Sequence, residues 1–329
     1  CLVHAVRWYR TQRDASNLVV WGSLIVALLM VEPITYFPQW FGLEDKMGLT
    51  FIHGQFSIQF LYDRLPLYIV AMYPVYGYMA YVLVQRAGIL KRCNIFVSSI
   101  CVAFGFMTLF EVADTVGPQW GWWVWNQDLP TSKPSMGPIP YLSLQGFSLV
   151  VPFAVALLTR WMTRTTNPQG WRILRDTIIV SIAVWPLMFS MQLPALLLQL
   201  IGVPTLTARG ISTWTMIGGA LLITAWAFYG TYRARMADPS IVPAGARGDR
   251  FALVCVAVYL LFGVVFWVAA LPGHSTAVDG VAPSGNPVGS LSFGAAAFVL
   301  SIVLTAGAYT GTLKAPSASE PASNPAVPA

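Results

Sequence analysis

The sequence predicts an all-α membrane protein, a bundle of about eight transmembrane helices with both termini on the cytoplasmic side. Three observations predict it. First, 56% of the 329 residues are hydrophobic and only 10% are charged, whereas a soluble domain carries about 25% charged residues. Second, eight apolar stretches reach the roughly 20 residues that a helix needs to cross a hydrocarbon core. Third, basic residues are concentrated in alternate connecting segments.

The order of the elements follows from these apolar stretches. The fifth contains Pro186 and Pro194, so we expect it to be bent, with the freed carbonyl groups bonded to neighbouring side chains or water. The last is rich in Gly, Ala and Ser and is the weakest prediction. The eight stretches lie near residues 17–37, 65–85, 94–114, 141–161, 177–202, 211–231, 251–271 and 289–312.

The connecting segments differ in character. Residues 51–62 are too short to cross a membrane and predict an amphipathic piece that is re-entrant or lies on the surface. Residues 115–140 contain five prolines, which favours an ordered loop over the outer face. We expect one transmembrane domain over residues 1–314. Residues 315–329 are rich in Pro, Ala and Ser and are predicted to be disordered.

The orientation follows from Lys and Arg. All but four of the 19 basic residues fall in the N-terminal segment, in alternate connections or after the last stretch. Cytoplasmic segments carry such an excess, so we expect both termini in the cytoplasm. This distribution explains the net charge of +6 without a nucleic-acid partner. We expect the protein to lie in the membrane of a bacterial cell, and the oligomeric state is left open.

The most informative polar residues end the third apolar stretch. Glu111 and Asp114 are spaced i,i+3, which places both on one face of a helix. Ionisable residues beside apolar membrane sequence are costly and are candidates for function. Four tryptophans follow within six residues, and tryptophan is enriched at the membrane–water interface. The carboxyl groups are therefore predicted at the outer boundary of the hydrocarbon core.

Acids from other stretches are predicted at the same depth. Counting about 20 residues outward from the cytoplasmic arginines reaches Glu32 on the first stretch, and the same count reaches Asp63 and Arg64 before the second. His53 can join them from the short segment before that stretch. Two alternatives stay open: each acid can simply mark a helix end, and Asp63 with Arg64 can be a local ion pair.

This group suggests acid chemistry. A carboxyl group beside apolar surface loses the solvation of its ionised form, stays protonated and can act as a general acid. Aromatic faces stabilise a developing cation, which is what protonation of an alkene requires. The same groups equally suit binding of a cationic or polyene ligand. We predict Glu111 as proton donor, with Asp114 and Glu32 orienting it or handling water. The predicted substrate contacts are Tyr36, His53, Asp63, Arg64, Tyr73, Trp120, Trp122 and Trp123.

Other chemistries find little support in the sequence. The only histidines are His4, His53 and His274, too few and too scattered for a di-iron or haem site. The four cysteines show no metal-binding or disulfide spacing. No phosphate-binding, nucleophile-elbow, zincin or dinucleotide motif is present. We therefore expect neither a metal nor a cofactor.

The region around Glu111 resembles the integral-membrane carotenoid hydratases and related carotenoid-biosynthesis membrane proteins. The resemblance rests on Glu111 at the end of a span, Gly117, Gly121 within the aromatic run from Trp120 to Trp125, and the Gly-Pro-Ile-Pro segment at 137–140. It covers about 50 residues and is an analogy. The glutamate lies one residue closer to the first glycine than in that family, and tryptophan replaces tyrosine. The resemblance implies acid-catalysed addition or cyclisation on an isoprenoid chain.

Two further classes remain beside this hypothesis of a membrane enzyme for an isoprenoid or lipid substrate. A non-catalytic transporter or ligand-binding subunit can use the same carboxyl groups for proton coupling or recognition. It requires a polar route across the membrane, and the cytoplasmic halves of the stretches carry almost no ionisable residues. A structural subunit of a larger membrane complex is the third class.

Overall fold

The computed structural model describes residues 1–129 and 132–310, so the prediction of disorder for residues 315–329 lies outside the described residues. Helices dominate this part of the chain. They are α1 (Leu2–Gln12), α2 (Ser16–Tyr36), α3 (Glu44–Met47), α4 (Leu67–Ala87), α5 (Ile89–Arg92), α6 (Ile95–Asp114), α7 (Val151–Thr166), α8 (Trp171–Ser190), α9 (Leu193–Leu200), α10 (Thr205–Ala237), α11 (Ala244–Arg247), α12 (Phe251–Ser275) and α13 (Leu291–Tyr309).

Within residues 1–129 and 132–310, eight helical segments are long and apolar enough to cross a membrane, which confirms the predicted all-α polytopic bundle. The predicted stretches match these segments closely. A π-helical segment, Leu142–Val150, precedes α7 and belongs to the same span. The fifth span is divided between α8 and α9. The sequence analysis did not predict α1, which packs on α2.

The centre of the bundle is α6. Every residue of α6 from Cys101 to Asp114 is buried, and α6 packs against α4, α7, α10 and α13. Close approach of neighbouring helices depends on small residues, as at Gly77 of α4, where a Cβ would lie 2.4 Å from the Leu24 side chain of α2. Because α6 is enclosed on all sides, its polar side chains lie inside the protein.

The predicted bend in the fifth span is confirmed. Pro186 lies within α8, and Pro194 lies in the first turn of α9. The carbonyl group of Met191, at the junction, accepts a hydrogen bond from the Gln145 side chain at 3.1 Å. The free carbonyl group at this junction is thus bonded to a side chain of a neighbouring helix, as expected inside a membrane.

Short strands cover one end of the bundle, the end away from the arginine-rich connections, called here the outer end. Strand β1 (Phe51–His53) pairs antiparallel with β4 (Trp123–Trp125). The segment 51–62, predicted to be re-entrant or to lie on the surface as an amphipathic piece, contains β1 and a second short strand at residues 59–60. The remaining strands form two pairs, β2 (Gln59–Phe60) with β3 (Leu65–Pro66) and β5 (Pro134–Met136) with β6 (Ile139–Pro140).

The opposite end holds a polar network made of His4, Asn17, Tyr78, Gln85 and Asp249, called here the inner network. His4 contacts the Tyr78 hydroxyl through Nδ1 and the Asp249 carboxylate through Nε2, each at 2.7 Å. Asn17 donates to the Tyr78 hydroxyl at 3.1 Å and exchanges hydrogen bonds with Gln85. These contacts tie α1, α2, α4 and the start of α12 together.

Candidate functional site

An enclosed recess lies at the outer end, between α2, α4, α6, the π-helical segment and the β1–β4 pair. It has about 440 Å³ of space between its atoms, of which about 40 Å³ admits the centre of a water molecule. One water needs about 10–15 Å³ by that measure, so the recess accommodates a few waters or a slender chain. This outer recess is lined by Glu32, Phe51, His53, Ile69, Met72, Tyr73, Phe110, Asp114, Trp123, Trp125, Ser143 and Phe147.

Two carboxyl groups of α6 lie at and behind the wall of the outer recess. Asp114 lines it and accepts a hydrogen bond from the Ser143 hydroxyl at 2.7 Å. Glu111, one turn deeper, is fully buried and lies 2.6 Å from the Ser148 hydroxyl. Its second oxygen, Oε2, is buried without a hydrogen-bond partner. The predicted pair is thus brought together, but only Asp114 faces the recess.

The bonds around Ser148 allow Glu111 to be a neutral acid. The Ser148 hydroxyl lies 3.0 Å from the Ser143 carbonyl oxygen as well as 2.6 Å from Glu111. A hydroxyl carries one proton, and a backbone carbonyl can only accept. If Ser148 donates to the carbonyl, the proton between Ser148 and Glu111 must belong to the Glu111 carboxyl group. A buried carboxyl with no counter-charge also favours this state.

The π-helical segment explains why both serines reach α6. Its backbone hydrogen bonds run from residue i to residue i+5, so side chains five positions apart lie nearly above one another. Ser143 and Ser148 have this spacing, and in an α-helix they would point in directions about 140° apart. π-helical turns occur frequently at functional sites. Here the segment presents two hydroxyl groups to two carboxyl groups.

The third carboxyl group comes from α2. Glu32 is 4% exposed, and its Oε2 atom lies 3.4 Å from the Thr35 hydroxyl. Its carboxyl group also lies beside the hydroxyl of Tyr36, one helical turn further on. That hydroxyl contacts Nδ1 of His53 at 2.6 Å. Burial lowers the pKa of His53 to about 3, so the imidazole is neutral at physiological pH.

Tyr73 of α4 joins the carboxyl groups. It is within electrostatic reach of Glu32, Glu111 and Asp114. Among the residues that the structure describes, no Lys or Arg forms an ion pair with any of the three acids. Within the same ranges, no cluster of three His, Cys, Asp or Glu side chains could hold a metal ion. The site is a group of acids and hydroxyls without a cation.

Aromatic rings form the remaining walls. Phe51 and Trp125 make an edge-to-face contact with ring centroids 5.1 Å apart. The Trp123 indole N–H lies near the Asp114 carboxyl group without the alignment of a hydrogen bond. The Trp123 ring is seated against Gly117, where a Cβ would come within 2.5 Å of it. The recess thus combines acids with several π faces.

Several residues predicted for the site lie outside the recess. Asp63 is exposed, in a turn where residues 61, 62 and 63 all have positive φ, and it forms no ion pair with Arg64. Arg64 donates to the Tyr36 carbonyl and stacks on Phe37. Trp120 and Trp122 pack on Phe266 of α12.

The expectation that Asp63 joins the other acids at the recess is therefore wrong, because the Asp63 side chain is exposed. Tyr36 is buried behind the lining and reaches the recess through His53. Glu32, His53, Tyr73, Asp114 and Trp123, which were predicted as site residues, line the recess.

Ser143, Ser148 and four aromatic lining residues were not predicted from the sequence. Ser143 and Ser148 carried one signal, hydroxyl groups inside an otherwise apolar span, but the π-helical geometry that aligns them is not written in any local pattern. The aromatic residues that were missed are Phe51, Phe110, Trp125 and Phe147.

Comparisons with known proteins yield no family model, curated protein or solved structure that matches this chain. The site must therefore be interpreted from its own chemistry. It combines two carboxyl groups in the lining, a third behind them, and aromatic faces around a narrow space.

Proposed function

We propose that the protein is a membrane enzyme that adds a proton to a carbon–carbon double bond of an isoprenoid or similar unsaturated lipid, leading to hydration or cyclisation. One observation carries the proposal: two buried carboxyl groups, those of Glu32 and Asp114, line one aromatic recess, a third lies directly behind its wall, and none of them forms an ion pair with a Lys or Arg among the described residues. The resemblance to carotenoid hydratases around Glu111 agrees with it as an analogy.

The arrangement assigns the proton donation to the α6 pair. Asp114 faces the recess and is the group that can reach a substrate, whereas Glu111 lies behind it. Two carboxyl groups on adjacent turns resist simultaneous ionisation, so the pair holds at least one proton. In the proposed step the π electrons of the alkene take the Asp114 proton, forming one C–H bond and leaving a carbocation. Each turnover removes one proton from Asp114 and gives one to Glu32, and a proton must return to Asp114 before the next cycle.

Glu32 is the second group of the proposed reaction. It approaches the recess from α2, a different helix, with the hydroxyl groups of Thr35 and Tyr36 beside it. In hydration, the oxygen of a water molecule bonds to the cationic carbon and Glu32 takes the released proton. In cyclisation, a second double bond attacks the cation, and Glu32 takes a proton from carbon at the end.

The walls suit a cation and a slender chain. Phe110, Trp123 and Trp125 offer π faces, which attract positive charge, and they supply no nucleophile that would trap it. The space of about 440 Å³ fits one portion of an extended chain, while the rest must remain in the lipid. A substrate that dissolves in the bilayer therefore fits this recess better than a polar metabolite.

The test compares lipid extracts of cells that express the protein with extracts of cells that do not. Hydration predicts a product heavier by one water, and cyclisation predicts a product of equal mass with a different retention time. Asp114→Asn should abolish the product. Asp63→Asn, which changes an exposed carboxyl group at the same end, should leave it unchanged. Redistribution of lipids without a new species, or full activity of Asp114→Asn, would refute the proposal.

A further inference from the structure

We propose that Tyr36 and His53 form a proton relay that connects the buried Glu32 carboxyl group with the aqueous phase at the outer end. The relay rests on the proposed function in one respect, since it takes Glu32 as the group whose protonation changes during turnover. The contacts themselves do not depend on which reaction occurs.

The relay consists of three groups in line. Glu32 and Tyr36 are one helical turn apart on α2, and the Tyr36 hydroxyl lies beside the Glu32 carboxyl group. The Tyr36 hydroxyl then contacts His53 Nδ1 at 2.6 Å, a short distance for this kind of bond. Glu32 and Tyr36 are 4% and 1% exposed, whereas His53 is only partly buried. Exposure therefore begins at the histidine.

Hydrogen-bond accounting allows two arrangements of this chain. When His53 carries its proton on Nδ1, it donates to Tyr36, and Tyr36 donates to an ionised Glu32. When the proton is on Nε2, Nδ1 accepts from Tyr36, and a protonated Glu32 donates to Tyr36. Protonation of Glu32 converts the first arrangement into the second. Since both contain a neutral imidazole, the low pKa of His53 is compatible with each.

The proton balance of the relay is simple. A proton from outer water binds Nε2, the Nδ1 proton moves to the Tyr36 oxygen, and the Tyr36 proton moves to Glu32. Release after turnover runs through the same atoms in reverse, and exchange of the imidazole protons with water restores the starting tautomer. No oxidant or further reactant takes part.

The surroundings of His53 leave this route open. Two titratable groups contact the His53 ring or hydrogen-bond to it: Tyr36 from α2 and Tyr68 from α4. The Tyr68 ring lies 6.2 Å from the His53 ring, and its hydroxyl donates to the Trp122 carbonyl. Arg64 is bound to the Tyr36 carbonyl, not to its hydroxyl. Beyond His53 the chain is exposed at Gln55, so water reaches the edge of the β1–β4 pair.

The test measures how fast Glu32 takes up a proton. The purified protein in lipid vesicles is exposed to a rapid drop in pH, and the carboxylic-acid C=O absorption is followed by infrared spectroscopy. The Glu32 contribution is the part absent from Glu32→Gln. We expect Tyr36→Phe and His53→Gln to slow this part by about 10²-fold, the lower end of what a positioned proton-transfer group contributes. Glutamine keeps a partner for the Tyr36 hydroxyl, so His53→Gln should preserve the fold.

Tyr68→Phe is the matched control, because it removes a hydroxyl group beside the same histidine but outside the chain of contacts. Its uptake rate should equal that of the wild type, and added imidazole should restore the rate in His53→Gly. Unchanged rates in Tyr36→Phe and His53→Gln, or equal slowing by Tyr68→Phe, would overturn the relay. The measurement needs no substrate, so a missing lipid product refutes the proposed reaction alone.

Discussion

Replacing Glu111 by Gln tests whether the buried carboxyl group is neutral. If it is, the amide nitrogen takes the place of the carboxylic O–H and donates to Ser148, while Ser148 continues to donate to the Ser143 carbonyl. The cost is one additional unsatisfied N–H, about 1–2 kcal/mol of the free energy of unfolding. If Glu111 were ionised, the same substitution would remove a buried charge without a partner and stabilise the protein by several kcal/mol. The sign of the change separates the two states.

The assay for stability is thermal unfolding in detergent, with Glu111→Ala as a second variant. Alanine leaves a cavity and an unpartnered Ser148, so it should lower stability by about 2–5 kcal/mol. We expect Glu111→Gln to unfold slightly below the wild type and well above Glu111→Ala. A clear rise in Tm for Glu111→Gln would refute the neutral acid.

The same variant tests the proposed role of Glu111 in proton supply. Because Glu111 acts through Asp114, we expect product formation in cells to fall by about 10²-fold, the lower end for loss of an acid–base group. Asp63→Asn is the control for expression and for general effects of losing a carboxyl group. Wild-type product formation by a folded Glu111→Gln protein would remove Glu111 from the reaction.

Three further predictions address other parts of the structure. Gly117→Ala should displace the Trp123 ring from the recess wall, because the new Cβ would lie 2.5 Å from it; we expect altered tryptophan fluorescence and reduced turnover. Arg235→Met should lower stability by roughly 3 kcal/mol, measured by thermal unfolding, because the buried guanidinium donates to four carbonyl groups at the ends of α4 and α13. Burial lowers the pKa of His53 from 6.5 to about 3, so the unfolded chain binds more protons between these values. Wild-type stability should therefore fall as the pH drops below 6.5, by at most about 2 kcal/mol at pH 5, and His53→Gln should not show this part of the loss.

The spans could be predicted because a membrane imposes a simple rule on the chain. Every backbone group in hydrocarbon must be bonded internally, so an apolar run of about 20 residues becomes a helix. The rule also holds in the fifth span, where the prolines predicted the break between its two helices. It does not identify the neighbour that satisfies the freed carbonyl, here Gln145, because that contact depends on how helices pack.

The site was predictable only where depth along a helix decides position. Glu32 and Asp114 end up at one recess because both lie near the outer ends of helices that flank it. Asp63 has the same depth, but three consecutive residues of positive φ turn its side chain outward. Depth along a helix fixes only the level at which a side chain lies in the membrane. The direction in which the side chain points depends on the local backbone geometry. Ser143 and Ser148 lie in a π-helix, which places residues five apart on the same side. A pattern with α-helical spacing does not predict this alignment.

The position of the acids also bears on the choice between an enzyme, which we propose, and a transporter. Along α2, Asn17 of the inner network and Glu32 of the outer recess are about 22 Å apart at 1.5 Å per residue. The buried residues of α2 between them are apolar except Ser23, whose hydroxyl is bonded to the Thr177 carbonyl.

On the neighbouring helices, Tyr73, Tyr76, Phe106 and Phe110 pack ring against ring below the recess. A transported proton or ligand would have to cross this aromatic layer, whereas a lipid enzyme needs access to water from one side only. The proposed Tyr36–His53 relay would provide such access at the outer end. Proton exchange with water from one side only is the arrangement that the proposed acid catalysis on a lipid requires.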